Sequence, residues 1–246
     1  MEPRIWTPYC GAAPTPQEIA ARWNFDPLLI AVLLFCAGGY WLAGHARTKA
    51  ERCAFAGFLG VAVVLFISPF CALSSALFSA RVVHHVVVAA PLALLLARSF
   101  DLRRIGGSIW LWITIQWLVF WVWHAPSVYG WALSNDAAYW LMQMSILLSA
   151  CGFWTVLSRQ PAPSAVAALL VTMVQMGLLG ALITFSSSAL YAPHFLGPQA
   201  WGLSPLEDQQ LAGLIMWVPA AGIYLFAALR ILSRWLAREE HPLALR

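Results

Sequence analysis

The chain has 246 residues, of which 61% are hydrophobic and only 10% are charged. A soluble domain contains roughly 25% charged residues, so this composition excludes a water-soluble globular protein and favours one embedded in a lipid bilayer. The formal net charge is +4, but the basic residues are spread over short loops between apolar runs, which argues against a nucleic-acid-binding surface.

Seven apolar segments predict an all-α fold, a polytopic membrane bundle of seven transmembrane helices. In chain order, the segments cover residues 27–44, 54–74, 77–97, 108–125, 138–157, 165–187 and 210–233. A very short connection at Leu73–Ala76 predicts that the second and third helices form a tight antiparallel hairpin. In the sixth segment, Gly177, Gly180 and Ala181 form the kind of small surface that lets membrane helices approach closely.

The basic residues predict how the bundle is oriented. The loops after the first, third and fifth segments and the C-terminal end carry 11 of the 14 Arg and Lys residues, whereas the opposite side carries Arg4 and Arg22 in the N-terminal tail. Because basic loops stay in the cytoplasm, we expect a periplasmic tail at 1–26, a membrane domain at 27–233 and a cytoplasmic tail at 234–246.

The five cysteines show no metal-binding or redox spacing. Four of them lie in or beside apolar segments, where cysteine usually packs as a small hydrophobe; these are Cys36, Cys53, Cys71 and Cys151. Cys10, in the polar N-terminal tail, has no interpretation from the sequence alone.

Several polar residues cluster towards the side opposite the basic loops. Ionisable groups inside a bilayer are costly and usually face the bundle interior, so these residues are candidates for a functional site. The third segment contains Arg81, His84 and His85, and the fourth ends with His124. His194 lies in the long connection between the sixth and seventh segments, residues 188–209, which is predicted on the outer side and is called the outer connection. Glu207 and Asp208 come just before the seventh segment.

Helical spacing limits which of these residues can cooperate. Arg81 and His85 are four residues apart and share a helix face, whereas His84 is rotated by about 100° from His85. One site can therefore use only one of the adjacent histidines well, together with His124 from a facing helix. Further ligands could come from Asp208, Glu207 or a methionine such as Met216, although an acid at a helix N-terminus is also favoured by the helix dipole. Imidazole with thioether or carboxylate suits copper, and two imidazoles on facing helices also suit haem.

Three blocks of sequence match a known pattern. The first runs from Ser68-Pro69 through Leu77–His85 to Ala90-Pro91, the second is Trp123-His124-Ala125-Pro126 with Tyr129, and the third is Pro205–Gln210 followed by Met216-Trp217. Together they resemble the CtaG family, the caa3-type cytochrome c oxidase assembly factors. Many members have a His-Met-x-x-His run in the third segment. Here Arg81 takes the first histidine position, and His84 stands where glutamine is common.

The resemblance implies a non-enzymatic assembly factor in the bacterial inner membrane that binds or delivers copper on the periplasmic side. Its partners would be subunits of a haem–copper oxidase and periplasmic copper chaperones. His85, His124 and Asp208 carry over as expected metal ligands, with His84 as a substitute. The supporting residues would be Arg81, which would stabilise a carboxylate or tune its charge, and Glu207, Met216, Tyr129 and His194.

Two other functions stay open from the residues alone. A membrane cytochrome or haem-handling oxidoreductase would use two of these histidines as axial ligands of haem. A transporter with a polar path at the midplane is the weaker alternative, because no acidic residue lies deep in any segment.

Overall fold

The computed structural model describes residues 8–43, 47–102 and 104–240, and the regular elements in these ranges are all helical. The α-helices are α1 (Pro27–Leu42), α2 (Lys49–Phe66), α3 (Pro69–Ala76), α4 (Phe78–Val87), α5 (Ala93–Ser99), α6 (Ile109–His124), α7 (Pro126–Ala132), α8 (Asp136–Leu157), α9 (Ala162–Thr184) and α10 (Pro205–Glu240). The ends of the two predicted tails, 1–7 with Arg4 and 241–246, lie outside the described residues, as does residue 44 of the first predicted segment.

Several helices are apolar enough for a membrane. Four are also long enough to cross it, namely Phe78–Ser99, Asp136–Leu157, Ala162–Thr184 and Pro205–Arg238. The bent pair of α2 and α3 is a fifth candidate, whereas α1 and α6 are apolar but have only 16 residues each. The prediction of an all-helical membrane protein is therefore confirmed, and the described helices give four or five spans by length where seven were predicted.

The second predicted segment is broken at Ser68-Pro69. Proline has no N–H to continue a helix but suits the first position of a new one, so α3 starts at Pro69 at an angle of 47° to α2. The predicted turn at Leu73–Ala76 is wrong, because these residues form the last part of α3. The chain turns instead at Leu77, whose backbone is extended, and enters α4 directly.

The third segment is interrupted by a π-helical turn at Val88–Leu92, which contains Pro91. A proline inside a helix leaves a backbone carbonyl without its usual donor. The indole Nε1 of Trp154 in α8 donates a hydrogen bond of 2.9 Å to the carbonyl of Ala89. This contact ties α8 to the third segment at the interruption.

Helices α9 and α10 pack closely along their lengths, and glycines allow this approach. A Cβ atom added to Gly180 would stand 2.8 Å from the carbonyl oxygen of Gly213, so only the absence of a side chain permits this approach. The predicted small surface in the sixth segment is therefore a helix-packing surface.

The N-terminal segment folds over one end of the bundle. Cys10 forms a disulfide with Cys71 of α3, so the prediction that Cys71 packs as a small hydrophobe is wrong. The Asn24 side chain donates to the carbonyl of Phe66 at 3.0 Å, and Trp201 in the outer connection donates to the carbonyl of Pro14 at 3.1 Å. These contacts place the N-terminal segment, the start of α4 and the outer connection at the same end of the molecule.

Candidate functional site

The position of α4 is fixed at its N-terminus by a residue of α10. Leu77 precedes the helix and provides no side-chain cap. Asp208 provides it instead, since its buried carboxylate accepts hydrogen bonds from the backbone N–H of Phe78 at 2.6 Å, the N–H of Ser79 at 3.1 Å and the Ser79 hydroxyl. A carboxylate at this place satisfies free N–H groups and complements the helix dipole. Asp208 therefore holds the helix that carries the histidines.

Arg81 is fully buried one turn further along α4. Its Nε donates to the carbonyl of Ser74 at 3.1 Å, and Nη1 donates to the Tyr139 hydroxyl at 3.4 Å. Both partners are uncharged, whereas the sequence predicted a carboxylate partner. The guanidinium also lies over the Tyr139 ring, with Cζ 5.3 Å from the centroid, a favourable cation–π arrangement.

The two adjacent histidines of α4 face different neighbours, as their 100° rotation predicts. His84 packs against phenylalanines, with ring centroids 5.0 Å from Phe66 and 6.2 Å from Phe70. His85 faces α6 instead, with its ring centroid 5.4 Å from that of His124 and the two rings nearly perpendicular. Both His84 and His85 are fully buried, and their ring nitrogens have no hydrogen-bond partner among the described residues.

The tautomer of His124 follows from its hydrogen bond. Nδ1 lies 2.8 Å from the carbonyl oxygen of Phe120, and a carbonyl can only accept, so Nδ1 carries the proton. Nε2 therefore keeps a free lone pair, and it has no partner within the described part of the chain. A histidine that donates one ring N–H to a backbone carbonyl and presents its other nitrogen is the usual arrangement of a metal ligand.

The His85–His124 pair is the part of the predicted cluster that the structure brings together with free donor atoms. Within residues 8–43, 47–102 and 104–240, no group of three or more His, Cys, Asp or Glu side chains could hold a metal ion. The pair thus offers imidazole nitrogen without a nearby carboxylate or thiolate among the described residues, at a buried position.

His194 belongs to a separate hydrogen-bonded layer above this pair. Its Nδ1 lies 3.3 Å from the carbonyl of Ala76, so Nδ1 donates, and its Nε2 accepts from the Tyr129 hydroxyl at 2.6 Å. Burial lowers the pKa of His194 to about 3 and raises the pKa of Tyr129, so both groups are neutral. With both nitrogens used, His194 covers the site and does not offer a donor atom to it.

The other predicted residues lie around this core without joining it. Glu207 is exposed and caps its own helix, since its carboxylate accepts from the N–H of Ser204 at 2.7 Å and its own N–H donates to the Ser204 hydroxyl at 3.2 Å. Met216 is fully buried in α10, which packs along α4.

Two tyrosines were missed by the sequence analysis. Tyr139 is the hydroxyl partner of Arg81, and Tyr191 donates a hydrogen bond of 2.8 Å to the backbone carbonyl of His124. Neither was given a role from the sequence; Tyr139 lies near the start of α8, and Tyr191 lies in the connection between α9 and α10. A tyrosine at the depth of a buried arginine was the signal that could have identified Tyr139, since that arginine needs partners.

Comparison with known proteins assigns the chain to a family. No match to it was found among curated proteins or among solved structures. The model of the cytochrome c oxidase caa3 assembly factor family, Caa3_CtaG, matches residues 33–238, which include α4, α6 and all but the last two residues of α10 and cover 206 of the 246 residues. Membership of a family of assembly factors implies a non-catalytic role. The chain therefore belongs to the family of membrane proteins that assist the assembly of caa3-type cytochrome c oxidase.

Proposed function

We propose that this protein holds a copper ion between His85 and His124 and supplies it during cytochrome c oxidase assembly. Copper is here the cargo, received from periplasmic copper chaperones and passed to oxidase subunits. The observation that carries the proposal is the buried His85–His124 pair, whose ring centroids lie 5.4 Å apart between α4 and α6 and which keeps ring nitrogens without a hydrogen-bond partner in the described part of the chain.

The donor set fits copper better than a hard cation. Imidazole is a good ligand for copper, whereas Mg²⁺ and Ca²⁺ require several oxygen ligands. The carboxylate of Asp208 is committed to the N-terminus of α4, and that of Glu207 to the backbone of Ser204.

The nearby guanidinium favours the lower charge state of the ion. Arg81 lies one helical turn from His85 on the same face of α4 and hydrogen-bonds only to uncharged groups, Ser74 and Tyr139, among the described residues. Repulsion by this buried cation rises with the charge of the bound ion. The arrangement thus favours Cu⁺ over Cu²⁺.

Two independent features support a periplasmic position of the site in the bacterial inner membrane. The basic loops are predicted on the side of the membrane opposite the histidines. An excess of basic residues is typical of cytoplasmic loops. The Cys10–Cys71 disulfide lies at the same end as the start of α4, and disulfides persist in the periplasm but rarely in the cytoplasm.

The packing of the histidine pair favours an ion over haem. In bis-histidine ligation, the porphyrin lies between the two imidazoles. The rings of His85 and His124 are in edge-to-face contact at 5.4 Å, and His124 is also stacked on Phe120 at 5.6 Å. A macrocycle would have to displace this core.

Complementation of a strain lacking the chromosomal copy tests the proposal. We expect His85→Gln and His124→Gln to lower cytochrome oxidase activity to the level of the deletion in copper-limited medium, and added copper to restore it. Glu207→Gln is the control for an exposed acid that should retain activity, and immunoblots check that each variant accumulates. Full oxidase activity in both histidine variants under copper limitation would contradict the proposal.

A further inference from the structure

A second recess opens at the other end of the molecule from the disulfide, beyond the π-helical turn of the third segment. It has a volume of about 710 Å³ and is formed by the end of the third segment, the end of α8 and the second half of α10. Cavities that bind small molecules commonly have volumes of this order. None of its lining residues belongs to the histidine site or to the layer above it.

The recess is apolar at one end and cationic at the other. Helix α10 lines it with Ile223, Phe226, Ala227, Arg230 and Arg234, which recur every three or four residues and therefore share one helix face. Along this face, the side chains change from apolar to basic towards the C-terminal end. The side chains with which the third segment lines the recess also change from apolar to basic towards the end of that segment.

Four arginines line the cationic end, namely Arg98, Arg159, Arg230 and Arg234, together with one acid, Asp101. Arg159 is already held by the backbone carbonyls of Leu102 at 2.7 Å and Ile105 at 3.1 Å. Arg98, Arg230 and Arg234 are exposed at the opening. The charge balance of the lining is positive, so the opening attracts an anion.

The apolar end is formed by residues at the π-helical turn and by α8. Ala90, Pro91, Leu94 and Trp154 form its wall. Thr155 also lines it, and its buried hydroxyl has no hydrogen-bond partner in the described part of the chain. An apolar wall of this kind suits a hydrocarbon chain.

We propose that this recess binds an anionic phospholipid of the leaflet on the basic side. The phosphate would bind Arg98, Arg230 and Arg234, and an acyl chain would lie along Pro91, Leu94 and Ile223. Arginine forms paired hydrogen bonds to phosphate oxygens, and basic pockets between membrane helices on the cytoplasmic side bind lipid head groups. A free phosphate would share the head-group contacts but would leave the apolar wall exposed.

Lipid binding to the full-length protein in detergent tests the proposal. We expect phosphatidylglycerol to bind and to raise the melting temperature, and phosphatidylcholine and inorganic phosphate to do neither at the same concentration. The double variant Arg230→Gln/Arg234→Gln should bind phosphatidylglycerol about 30-fold more weakly, because each basic residue near an anionic lipid contributes about 1 kcal/mol. Arg238→Gln is the matched control, since Arg238 is exposed on the same helix but does not line the recess.

A second variant tests the apolar part. Ala227→Phe fills the wall without removing an arginine, so it should weaken phosphatidylglycerol binding and leave the unliganded melting temperature close to that of the wild type. Equal phosphatidylglycerol affinity in the wild type and the double arginine variant would overturn the proposal. Stabilisation by inorganic phosphate that equals that by phosphatidylglycerol would overturn the assignment to a lipid.

Discussion

At the residue scale, a candidate metal ligand differs from a residue that only positions it, because the candidate ligand keeps a donor atom that makes no hydrogen bond. His124 has one ring nitrogen bound to the Phe120 carbonyl and the other free. Asp208 and His194 have their polar atoms engaged by α4 and its neighbours. Helical spacing and depth predicted that His85 and His124 could meet. They could not predict the role of Asp208, because its partner Phe78 is 130 residues away in the chain.

Asp208→Asn should therefore act on stability and not on metal binding. The amide loses one of the two carboxylate acceptors and the charge that complements the α4 N-terminus, so we expect a destabilisation of about 1–2 kcal/mol. Melting temperature and copper content per folded protein, measured in detergent, check both parts. Glu207→Gln is the matched control for an exposed acid: glutamine can keep the hydrogen bond to Ser204, so the copper content should not change and the melting temperature should fall less than in Asp208→Asn. Loss of copper from folded Asp208→Asn would make Asp208 a ligand.

The burial of His194 predicts a pH dependence of stability. Its pKa is lowered from 6.5 to about 3 in the folded protein, so the unfolded chain takes up a proton below pH 6.5 while the folded protein does not. The contribution of His194 is fully present above pH 6.5 and falls by about 1.4 kcal/mol for each pH unit towards pH 3.

Unfolding of the wild type and of His194→Gln in detergent between pH 7.5 and pH 4.5 measures this effect. The other buried histidines are common to both proteins, so the difference between their slopes isolates His194. The variant should lose stability less steeply on acidification. Parallel curves for the two proteins would contradict the assignment of a neutral, buried His194.

At the scale of elements, hydropathy located the helices but not their breaks. All seven predicted segments are helical over most of their length, because a long apolar run in lipid must satisfy its backbone internally. The break at Ser68-Pro69 and the π-helical turn at Val88–Leu92 depend on local backbone geometry. Hydropathy therefore placed the turn between the second and third segments within α3, whereas the chain turns at Leu77.

The α9–α10 contact requires glycine at Gly180 of α9, whereas Gly177, one turn away in the same helix, tolerates alanine. In Gly180→Ala the new methyl group would meet the Gly213 carbonyl at 2.8 Å, so we expect a loss of about 1–3 kcal/mol from overpacking. In Gly177→Ala, the nearest atom is Cδ1 of Trp217 at 3.4 Å, an ordinary contact. Melting temperatures of the two variants should differ accordingly, and an equal effect would show that α9 and α10 are not held at this distance.

At the scale of the whole molecule, the ends of the bundle differ in chemistry. The disulfide, the outer connection and the histidine pair lie towards one end, and the arginine-lined recess lies at the other. The bias of basic residues predicted two unlike sides. The disulfide was not predicted, because Cys10 and Cys71 are 61 residues apart and belong to a tail and a helix. Only the fold of the N-terminal segment brings them together.

Loss of the disulfide should loosen the N-terminal segment, which folds over the end of the bundle. Cys10→Ser is expected to lower stability by about 2–5 kcal/mol, since a cross-link across a long loop restricts the unfolded chain. A reductant should lower the melting temperature of the wild type to a similar extent and leave that of Cys10→Ser/Cys71→Ser unchanged. Free thiols at Cys10 and Cys71 in protein purified without reductant would contradict the pairing.

The central claim is that His85 and His124 together bind copper, and copper content per chain tests it most directly. The purified protein would be equilibrated with Cu⁺ under anaerobic conditions with ascorbate, which spares the disulfide, and then separated from free metal. We predict about one bound ion per chain for the wild type and for His84→Gln, and loss of that ion in His85→Gln and in His124→Gln. Retention of the ion by both of the last two variants, or no copper on the folded wild type, would contradict the account.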